Sequence, residues 1–167
     1  MKKLIVLILS AIGIFGYLSC SKTAPVPTTP PCTPKAVSAD SAALISFAGD
    51  SITLTRDSTG LYYHIIDSGN SKKPTTNSLL YVTYTARLMD NFAFDSASNS
   101  YLMGAPLSQL IAGWQIGMPK IGVGGHIQLF IPSALAWGCN GLVTSGGLIV
   151  VPPDAPVYFD VQLLDVN

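Results

Sequence analysis

Hydrophobic and polar residues alternate with a period of two in several separate segments of the chain. In the segment SLLYVTYTARL, Leu80, Val82 and Tyr84 fall on one face, and Tyr81 and Thr83 fall on the other. Such alternation predicts a half-buried antiparallel strand. Five strands are predicted in this way, the first two of them short and separated by a turn. The predicted strands are SITLTRDSTG (51–60), LYYHIIDSG (61–69), SLLYVTYTARL (78–88), HIQLFIP (126–132) and VYFDVQLLDV (157–166).

A segment ahead of these strands, VSADSAALISFA (37–48), has apolar residues at the spacing of one helical face. Ser38 is of a residue type that caps the N-termini of helices. The segment therefore predicts a short helix that begins at this serine. Its apolar face consists of Ala42, Leu44, Ile45 and Ala48.

A second helix is predicted between the strands, in the segment SQLIAGWQIGM (108–118). Gly113 and Gly117 lower its helix propensity, and Pro119 ends it. About two turns of helix remain, flanked by strands on both sides, and this order predicts an α+β fold with one helix packed on an antiparallel sheet. The apolar face of this helix consists of Leu110, Ile111, Trp114 and Met118.

The first 19 residues have the organisation of an export signal. A basic start, MKK, is followed by an uninterrupted apolar run and then by small residues. The run is shorter than the roughly 20 residues that span a bilayer, so residues 1–19 are predicted to be a signal peptide. Cys20 closes the sequence YLSC, which resembles the lipobox of bacterial lipoproteins, although Tyr17 stands where leucine is usual. We expect a lipidated Cys20, with an ordinary secretory signal cleaved nearby as the alternative.

A proline-rich segment follows this cysteine. Residues 21–35, SKTAPVPTTPPCTPK, contain five prolines and favour an extended backbone that cannot bury a core. We therefore expect residues 20–36 to form a tether and residues 37–60 to form an extension of a short helix and a strand. The domain itself is expected over residues 61–167.

The charge of the chain is low and close to balanced. Charged residues make up 11% of the sequence, every acidic residue is an aspartate, and loss of Lys2 and Lys3 with the signal peptide leaves seven basic against nine acidic residues. A weakly acidic chain without a basic patch excludes nucleic acid as an expected partner.

The usual signatures of covalent or metal catalysis are missing from the sequence. His64 and His126 lie inside predicted strands without the spacing of a metal site. The glycines of GVGG (122–125) precede no helix, so they predict a hairpin turn and not a phosphate-binding loop. Neither a nucleophile with its base nor a metal cluster is recognisable, and we expect no metal and no cofactor.

Several ordered motifs in residues 61–167 resemble the FKBP-type peptidyl-prolyl cis-trans isomerases. The resemblance implies a twisted antiparallel β-sheet wrapped around one short α-helix, and it implies isomerisation of Xaa-Pro bonds. Together with the lipobox and the tether, the chain resembles the exported FKBP-type lipoproteins of Bacteroidetes-like bacteria. The motifs are Tyr84-Thr85, Phe94-Asp95-Ser96, Ile111-x-Gly-Trp114, Val123-Gly124, Ile131-Pro132, Pro152-Pro153 and Phe159-Asp-Val-x-Leu-Leu164.

The same resemblance implies an aromatic pocket for the proline ring. Trp114 is expected to form its floor, Ile111 to offer a backbone N–H to a substrate carbonyl, and Asp95 to be hydrogen-bonded rather than to act as a general base. The other residues carried over to the pocket, as walls or rim, are Tyr84, Phe94, Leu110, Val151, Phe159 and Tyr101.

Two positions and one segment depart from the family pattern. Trp137 in LAWGCNG stands where the family usually has a tyrosine whose hydroxyl donates to the substrate, and Ala86 replaces a common glycine. The indole keeps an N–H donor, but on a larger ring. The flap, residues 141–150, is longer than usual and apolar.

The resemblance implies unfolded or proline-containing polypeptides as partners, macrolide inhibitors as ligands and the membrane as the site of anchoring. A binding or chaperone module that keeps the pocket with weak catalysis is the alternative function. A structural surface lipoprotein that keeps only a macrolide-binding remnant is a weaker alternative.

Two cysteines are left once Cys20 is lipidated. Cys32 and Cys139 would then form a pair in an oxidising compartment, and we expect a disulfide between them. Two free thiols are the alternative.

Overall fold

The computed structural model describes residues 32–167, except for the side chains of residues 101–103. The predicted signal peptide, Cys20 and most of the tether therefore lie outside the described residues. The helices in this part of the chain are α1 (Ser41–Ala48) and α2 (Ala112–Gly117). The strands are β1 (Thr55–Arg56), β2 (Tyr62–Asp67), β3 (Leu79–Leu88), β4 (Ala93–Pro106), β5 (His126–Ile131), β6 (Leu142–Val143), β7 (Ile149–Val151) and β8 (Val157–Val166).

Six of these strands form one antiparallel sheet in the order β1-β2-β5-β8-β3-β4, and β6 pairs with β7 in a separate hairpin. The alternating segments around β3, β5 and β8 form the sheet centre, as their pattern predicts. Their inward residues, such as Val82, Leu129 and Val161, are completely buried. The predicted α+β fold, an antiparallel sheet with one short helix on its inner face, is confirmed.

Helix α2 lies unusually close to β5 because two of its residues are glycines. A Cβ atom on Gly113 would stand 2.5 Å from Cγ2 of Ile131, and one on Gly117 would stand 2.5 Å from Cδ2 of Leu129. The two glycines lower the helix propensity of α2, and the same two residues let its backbone approach the sheet. The α-helical part is six residues, shorter than predicted, because 3₁₀ turns replace it at Leu107–Gln109 and Met118–Lys120.

The outer face of the sheet is also buried, where it is covered by α1. A second apolar cluster contains residues of α1 and of three strands. Its strand residues lie side by side in the sheet, since Tyr62 pairs with Phe130 and Phe130 pairs with Tyr158. Phe130 is completely buried, so β5 is buried on both faces and not on the one face that alternation predicts. Leu44 and Ala48 are the buried residues that α1 contributes.

The helix in residues 37–48 differs from its prediction in two respects. A 3₁₀ turn occupies Val37–Asp40, and Ser38 makes no capping hydrogen bond. The predicted apolar face is too wide, since Ile45 is 52% exposed and Ala42 is exposed as well. The helix is short, and only its residues that point directly at the sheet are covered.

Two further features differ from the sequence-based expectations. The 14-residue strand β4 was not predicted, because its small and polar residues do not alternate and it pairs only with β3 at the sheet edge. The glycines at 122–125 do not connect two paired strands. They lie between a 3₁₀ turn and β5, and the N–H of Gly122 donates to the carbonyl of Ser68 at 2.8 Å.

No helix within residues 32–167 is long and apolar enough to cross a membrane. The same residues contain no cluster of three or more histidine, cysteine or acidic side chains that could hold a metal ion.

Candidate active site

A cavity of about 300 Å³ opens between α2 and the inner face of the sheet. Five separate parts of the fold contribute to its wall: β3, β4, the region of α2, the loop after β5, and β8. The cavity is predominantly apolar, and the one carboxylate in its wall belongs to Asp95. The lining residues are Tyr84, Asp95, Leu110, Ile111, Trp114, Trp137 and Phe159.

The indole of Trp114 lies at the centre of an aromatic cluster. Its ring meets the ring of Tyr84 at 5.6 Å and that of Phe159 at 5.3 Å, both edge to face. Trp114 is 3% exposed and Phe159 is 4% exposed. Because α2 packs so closely on β5, this cluster is rigidly supported from behind, and it presents a preformed apolar surface.

Tyr84 and Asp95 form the polar side of the cavity. The Tyr84 hydroxyl donates a hydrogen bond to Oδ2 of Asp95 at 2.6 Å, and Oδ1 of Asp95 accepts one from the N–H of Ser96 at 2.8 Å. Burial, together with the hydrogen bond and the charge of Asp95, raises the pKa of Tyr84 well above its ordinary value. Both carboxylate oxygens therefore already have donors, an arrangement suited to orienting groups rather than removing protons.

Ile111 immediately precedes α2 in an extended conformation. Its carbonyl accepts the first hydrogen bonds of the helix, from Trp114 and Gln115. Its own N–H donates no hydrogen bond to residues 32–167. This donor is therefore available at the cavity wall.

Gln115 is a supporting residue that the sequence did not reveal. Its side-chain amide donates to the carbonyl of Leu110 at 2.7 Å and to that of Ser108 at 3.2 Å. These bonds hold the peptide that carries the Ile111 N–H. The residue belongs to no recognised motif, and its polar position on the helix has the ordinary appearance of a solvent-facing side chain.

Trp137 stands at the rim, just before the 3₁₀ turn Gly138–Asn140. Its ring meets Phe94 edge to face at 5.9 Å, and its indole N–H has no hydrogen-bond partner within residues 32–167. The 3₁₀ turn is hydrogen-bonded to the segment that follows the flap, since the N–H of Asp154 donates to the carbonyl of Gly138 at 2.8 Å.

Three residues expected in the pocket are not part of its described lining. Phe94 lies behind the wall, where its ring supports Trp137 and Phe159 from the side. Val151 is 1% exposed and belongs to the core. It pairs with Leu142 in the hairpin of β6 and β7, which we call the flap hairpin. Tyr101 lies in β4, opposite Tyr81, and its side chain is outside the described structure.

Cys32 and Cys139 form a disulfide in the structure, and their Cα atoms are 5.6 Å apart. Cys139 follows Trp137 by two residues, so the bond fastens the start of the described chain beside the cavity rim. Cys20, the expected lipidation site, lies outside the described residues.

Solved structures with the same arrangement of sheet and helix define the class of fold. A peptidyl-prolyl cis-trans isomerase from Pseudomonas syringae pv. tomato superposes with a TM-score of 0.65 at 23% identity, over 78% of this chain and 92% of its own. This likeness shows an FKBP-like fold alone. FkpA from Escherichia coli superposes with a TM-score of 0.58 at 33% identity, over 76% of this chain and 57% of its own.

A family model described as FKBP-type peptidyl-prolyl cis-trans isomerase matches residues 70–164. The match covers more than half of the chain, and the chain therefore belongs to this family.

Relatives of known name agree with this family. FkpA from Escherichia coli K12, an FKBP-type peptidyl-prolyl cis-trans isomerase, is 39% identical over 114 residues, which are 66% of this chain and 39% of the relative. FK506-binding protein 1 from Saccharomyces cerevisiae is 37% identical over 97 residues, 56% of this chain and 81% of the relative. The match thus spans about two fifths of the length of FkpA.

Proposed function

We propose that this protein is a peptidyl-prolyl cis-trans isomerase that acts on Xaa-Pro bonds of exported proteins. The observation that carries the proposal is the cavity, in which the aromatic rings of Tyr84, Trp114 and Phe159 surround a space of about 300 Å³. An apolar space of this kind, with a few polar groups at its edge, suits a pyrrolidine ring with its neighbouring peptide groups.

The proposed mechanism needs no covalent step. Rotation about an Xaa-Pro bond is opposed by a barrier of about 20 kcal/mol, because amide resonance is lost in the twisted state. A site that binds the twisted amide better than either planar form lowers that barrier. The aromatic wall removes water from the carbonyl, and water stabilises the planar, charge-separated amide.

Hydrogen-bond donors orient the peptide on either side of the proline. In this proposal, the backbone N–H of Ile111 and the indole N–H of Trp137 donate to substrate carbonyls.

The walls of the cavity would hold the proline ring. Trp114 forms the floor, with Leu110 beside it. The Tyr84–Asp95 pair offers a fixed polar edge, and Phe94 braces the rim from behind. Macrolide ligands would compete for the same space.

We further propose that the protein is an exported lipoprotein, anchored through Cys20 to the inner or outer membrane of a Gram-negative bacterium and facing the periplasm. The support is the export signal and the lipobox-like YLSC sequence. A lipidated lipobox cysteine carries more than one acyl chain, and stable anchoring requires more than one. The substitution Cys20→Ser should move the protein from the membrane fraction to the soluble fraction. Intact-mass measurement should show the loss of the lipid.

A binding or chaperone function is the second candidate, and the flap hairpin favours it. Val143, Leu148 and Ile149 are 49%, 68% and 57% exposed, and together they offer an apolar surface beside the cavity. Replacing all three by serine should reduce suppression of client aggregation while leaving turnover of a short proline peptide unchanged.

The deciding experiment is a cis-to-trans relaxation assay with a proline-containing peptide and with a refolding protein limited by proline isomerisation. We expect the protein to accelerate both reactions. Two isoleucine variants form a matched pair: Ile111→Ala alters the cavity wall, whereas Ile45→Ala alters an exposed residue of α1. Loss of rate in the first and not in the second supports the proposal. Peptide binding without acceleration would overturn it in favour of the binding module.

A further inference from the structure

The N-terminal end of the described chain is fastened to the cavity rim at two points. We call residues 32–40 the N-terminal strap and residues 133–140 the rim loop. Cys32 of the strap is joined to Cys139 of the rim loop by a disulfide, and Asp40 of the strap is hydrogen-bonded to Ser133 of the rim loop. The strap thus holds both ends of the loop that carries Trp137.

The Asp40–Ser133 contact is buried and specific. Oδ2 of Asp40 accepts hydrogen bonds from the N–H of Ser133 at 2.7 Å and from its Oγ at 2.6 Å. Asp40 is 6% exposed and Ser133 is completely buried. A buried carboxylate is costly unless donors satisfy it. Apolar residues at both positions could fill the same space without a buried carboxylate, so the contact is better explained by the orientation that it imposes.

Outside the strap, the rim loop is contacted by the ring of Phe94, which meets that of Trp137, and by the N–H of Asp154, which donates to the carbonyl of Gly138. Leu135, Ala136 and Trp137 also pack on the main apolar cluster.

The rim loop belongs to no strand of the sheet, and the backbone hydrogen bonds within it, such as that from the N–H of Ala136 to the carbonyl of Ser133, form local turns. Ala136 and Trp137 adopt non-helical backbone angles between these turns. The strap contacts lie on both sides of Trp137, at Ser133 and Cys139, so the direction of the indole depends on how these two ends of the loop are held.

We infer that the strap positions Trp137 at the cavity, with Asp40 and the Cys32–Cys139 disulfide as positioning groups that touch no substrate. The strap precedes the region matched by the family model, which begins at residue 70. The strap is therefore an addition to the family domain, and this addition acts on the site. The effect on catalysis rests on the proposed isomerase function, whereas the effect on the indole does not.

The test compares Asp40→Ala with Asp40→Asn, whose amide oxygen can accept both hydrogen bonds from Ser133. In an NMR spectrum of the folded protein, the indole N–H signal of Trp137, assigned with Trp137→Phe, should shift or broaden in the alanine variant and return in the asparagine variant. The signal of Trp114 should remain unchanged. We expect kcat/KM of the alanine variant to fall about tenfold, because a displaced donor loses orientation.

A Trp137→Ala background separates positioning from general damage. If Asp40 acts through the indole, Asp40→Ala should lower kcat/KM in the parent and have no further effect in that background. An equal loss in both backgrounds, or an unchanged indole signal, overturns the inference. If the parent shows no isomerase activity and the Trp137 indole signal still shifts in the Asp40→Ala variant, the proposed function is contradicted and the positioning role of the strap is supported.

Two further variants complete the design. Leu44→Val weakens the packing of α1 on the sheet without touching the rim loop, and it should lower the melting temperature without moving the indole signal. The double substitution Cys32→Ser, Cys139→Ser releases the other end of the loop and should move that signal. This second variant tests the inference even if Asp40→Ala fails to fold, and an unmoved signal in it counts against the strap.

Discussion

At the scale of single residues, the side chains of Tyr84 and Asp95 satisfy each other, while the N–H groups of Ile111 and Trp137 are left as donors at the cavity. The Tyr84 hydroxyl and both oxygens of Asp95 are engaged in short hydrogen bonds, and burial raises the pKa of Tyr84 so that its phenol stays protonated throughout the physiological range. A proline site gains from this arrangement, because the one carboxylate of the wall is held in a fixed direction by a donor on each oxygen.

Trp137 supports a prediction at the same scale. Trp137→Phe keeps an aromatic ring at the rim and removes its donor, so we expect kcat/KM for a proline peptide to fall about tenfold, the value of one hydrogen bond of roughly 1.4 kcal/mol. Trp137→Tyr returns a donor and should recover most of the rate. Phe92→Leu, at an aromatic residue 61% exposed outside the cavity, should leave the rate unaltered. Equal rates for the parent and the phenylalanine variant would show that the indole N–H makes no catalytic contact.

The residues of the cavity were predictable by motif and not by hydrophobic period. Six of the seven lining residues lie in or beside the ordered motifs that resemble the family, and Trp137 was located as a departure from the family pattern. Periodicity alone assigns Trp114 and Phe159 to the core.

Phe94 and Val151 were expected at the wall, but the ring of Phe94 packs against those of Trp137 and Phe159, and Val151 is buried where β7 pairs with β6. The ring contacts of Phe94 and the contact of Asp40 with Ser133, 93 residues away, are long-range, and no local pattern encodes them. Gln115 bonds to nearby residues and was missed because it belongs to no recognised motif.

At the scale of elements, the contact between α2 and β5 determines where the floor of the cavity lies. Gly113 precedes Trp114 directly and faces Ile131 of β5 at a distance that leaves no room for a side chain. Any separation of α2 from the sheet would therefore displace the indole of Trp114 from its position in the cavity wall.

Gly113→Ala should consequently destabilise the protein, although alanine favours a helix by about 1 kcal/mol over glycine. Overpacking against Ile131 should outweigh that gain and reduce the free energy of unfolding by about 1–3 kcal/mol in denaturant titration. Gly146→Ala is a suitable control, since its Cβ would have only Thr144 nearby, at 3.8 Å. The double variant Gly113→Ala, Ile131→Ala should be less destabilised than the sum of its two single variants. A neutral Gly113→Ala would mean that α2 can move without cost.

The strands illustrate which elements a period of two can reveal. Alternation located β3, β5 and β8 because one of their faces is core and the other is mostly polar. It did not locate β4, an edge strand whose small polar residues alternate in no regular way. It also missed the burial of Phe130 on the outer face, because the residues that cover it belong to α1, which is distant from β5 in the sequence.

At the scale of the whole molecule, a polar cluster on the outer face links β5 to β8. Asp160 accepts hydrogen bonds from Gln128 and Tyr158, both at 3.0 Å, and contacts Nε2 of His126 at 2.6 Å. Burial acts to raise the pKa of Asp160, but these hydrogen bonds outweigh burial and hold the pKa below its ordinary value.

A lowered pKa in the folded state means that the Asp160 carboxylate stabilises the fold above the unfolded pKa of about 3.9. This contribution is lost as the pH falls through the lower folded value. We therefore expect Asp160→Asn to reduce the melting temperature at pH 7 and to make its decline below about pH 4 shallower than in the parent. Asp50→Asn, at an exposed residue without a hydrogen bond in residues 32–167, should follow the parent curve. Parallel curves for Asp160→Asn and the parent would contradict the assignment.

The disulfide leads to a second prediction for the whole molecule. In a Cys20→Ser variant, titration of thiols under denaturing, non-reducing conditions should find none, and two reactive thiols per chain would refute the bond. Reduction should lower the free energy of unfolding by roughly 2–4 kcal/mol and the melting temperature by about 10 °C, because the bond closes a long loop. The Cys32→Ser, Cys139→Ser variant should melt at the temperature of the reduced parent.

The closed loop also determines how the folded chain carries mechanical load. Cys32 and Cys139 are 107 residues apart in sequence, so β1 to β5 and both helices lie inside a covalent ring. Tension applied between the two chain ends would pass directly from Cys32 to Cys139 and bypass everything within that ring. Within residues 32–167, the stretched elements would be the flap hairpin and β8, and the segment that carries Tyr84 and Trp114 could not be drawn out until the bond breaks.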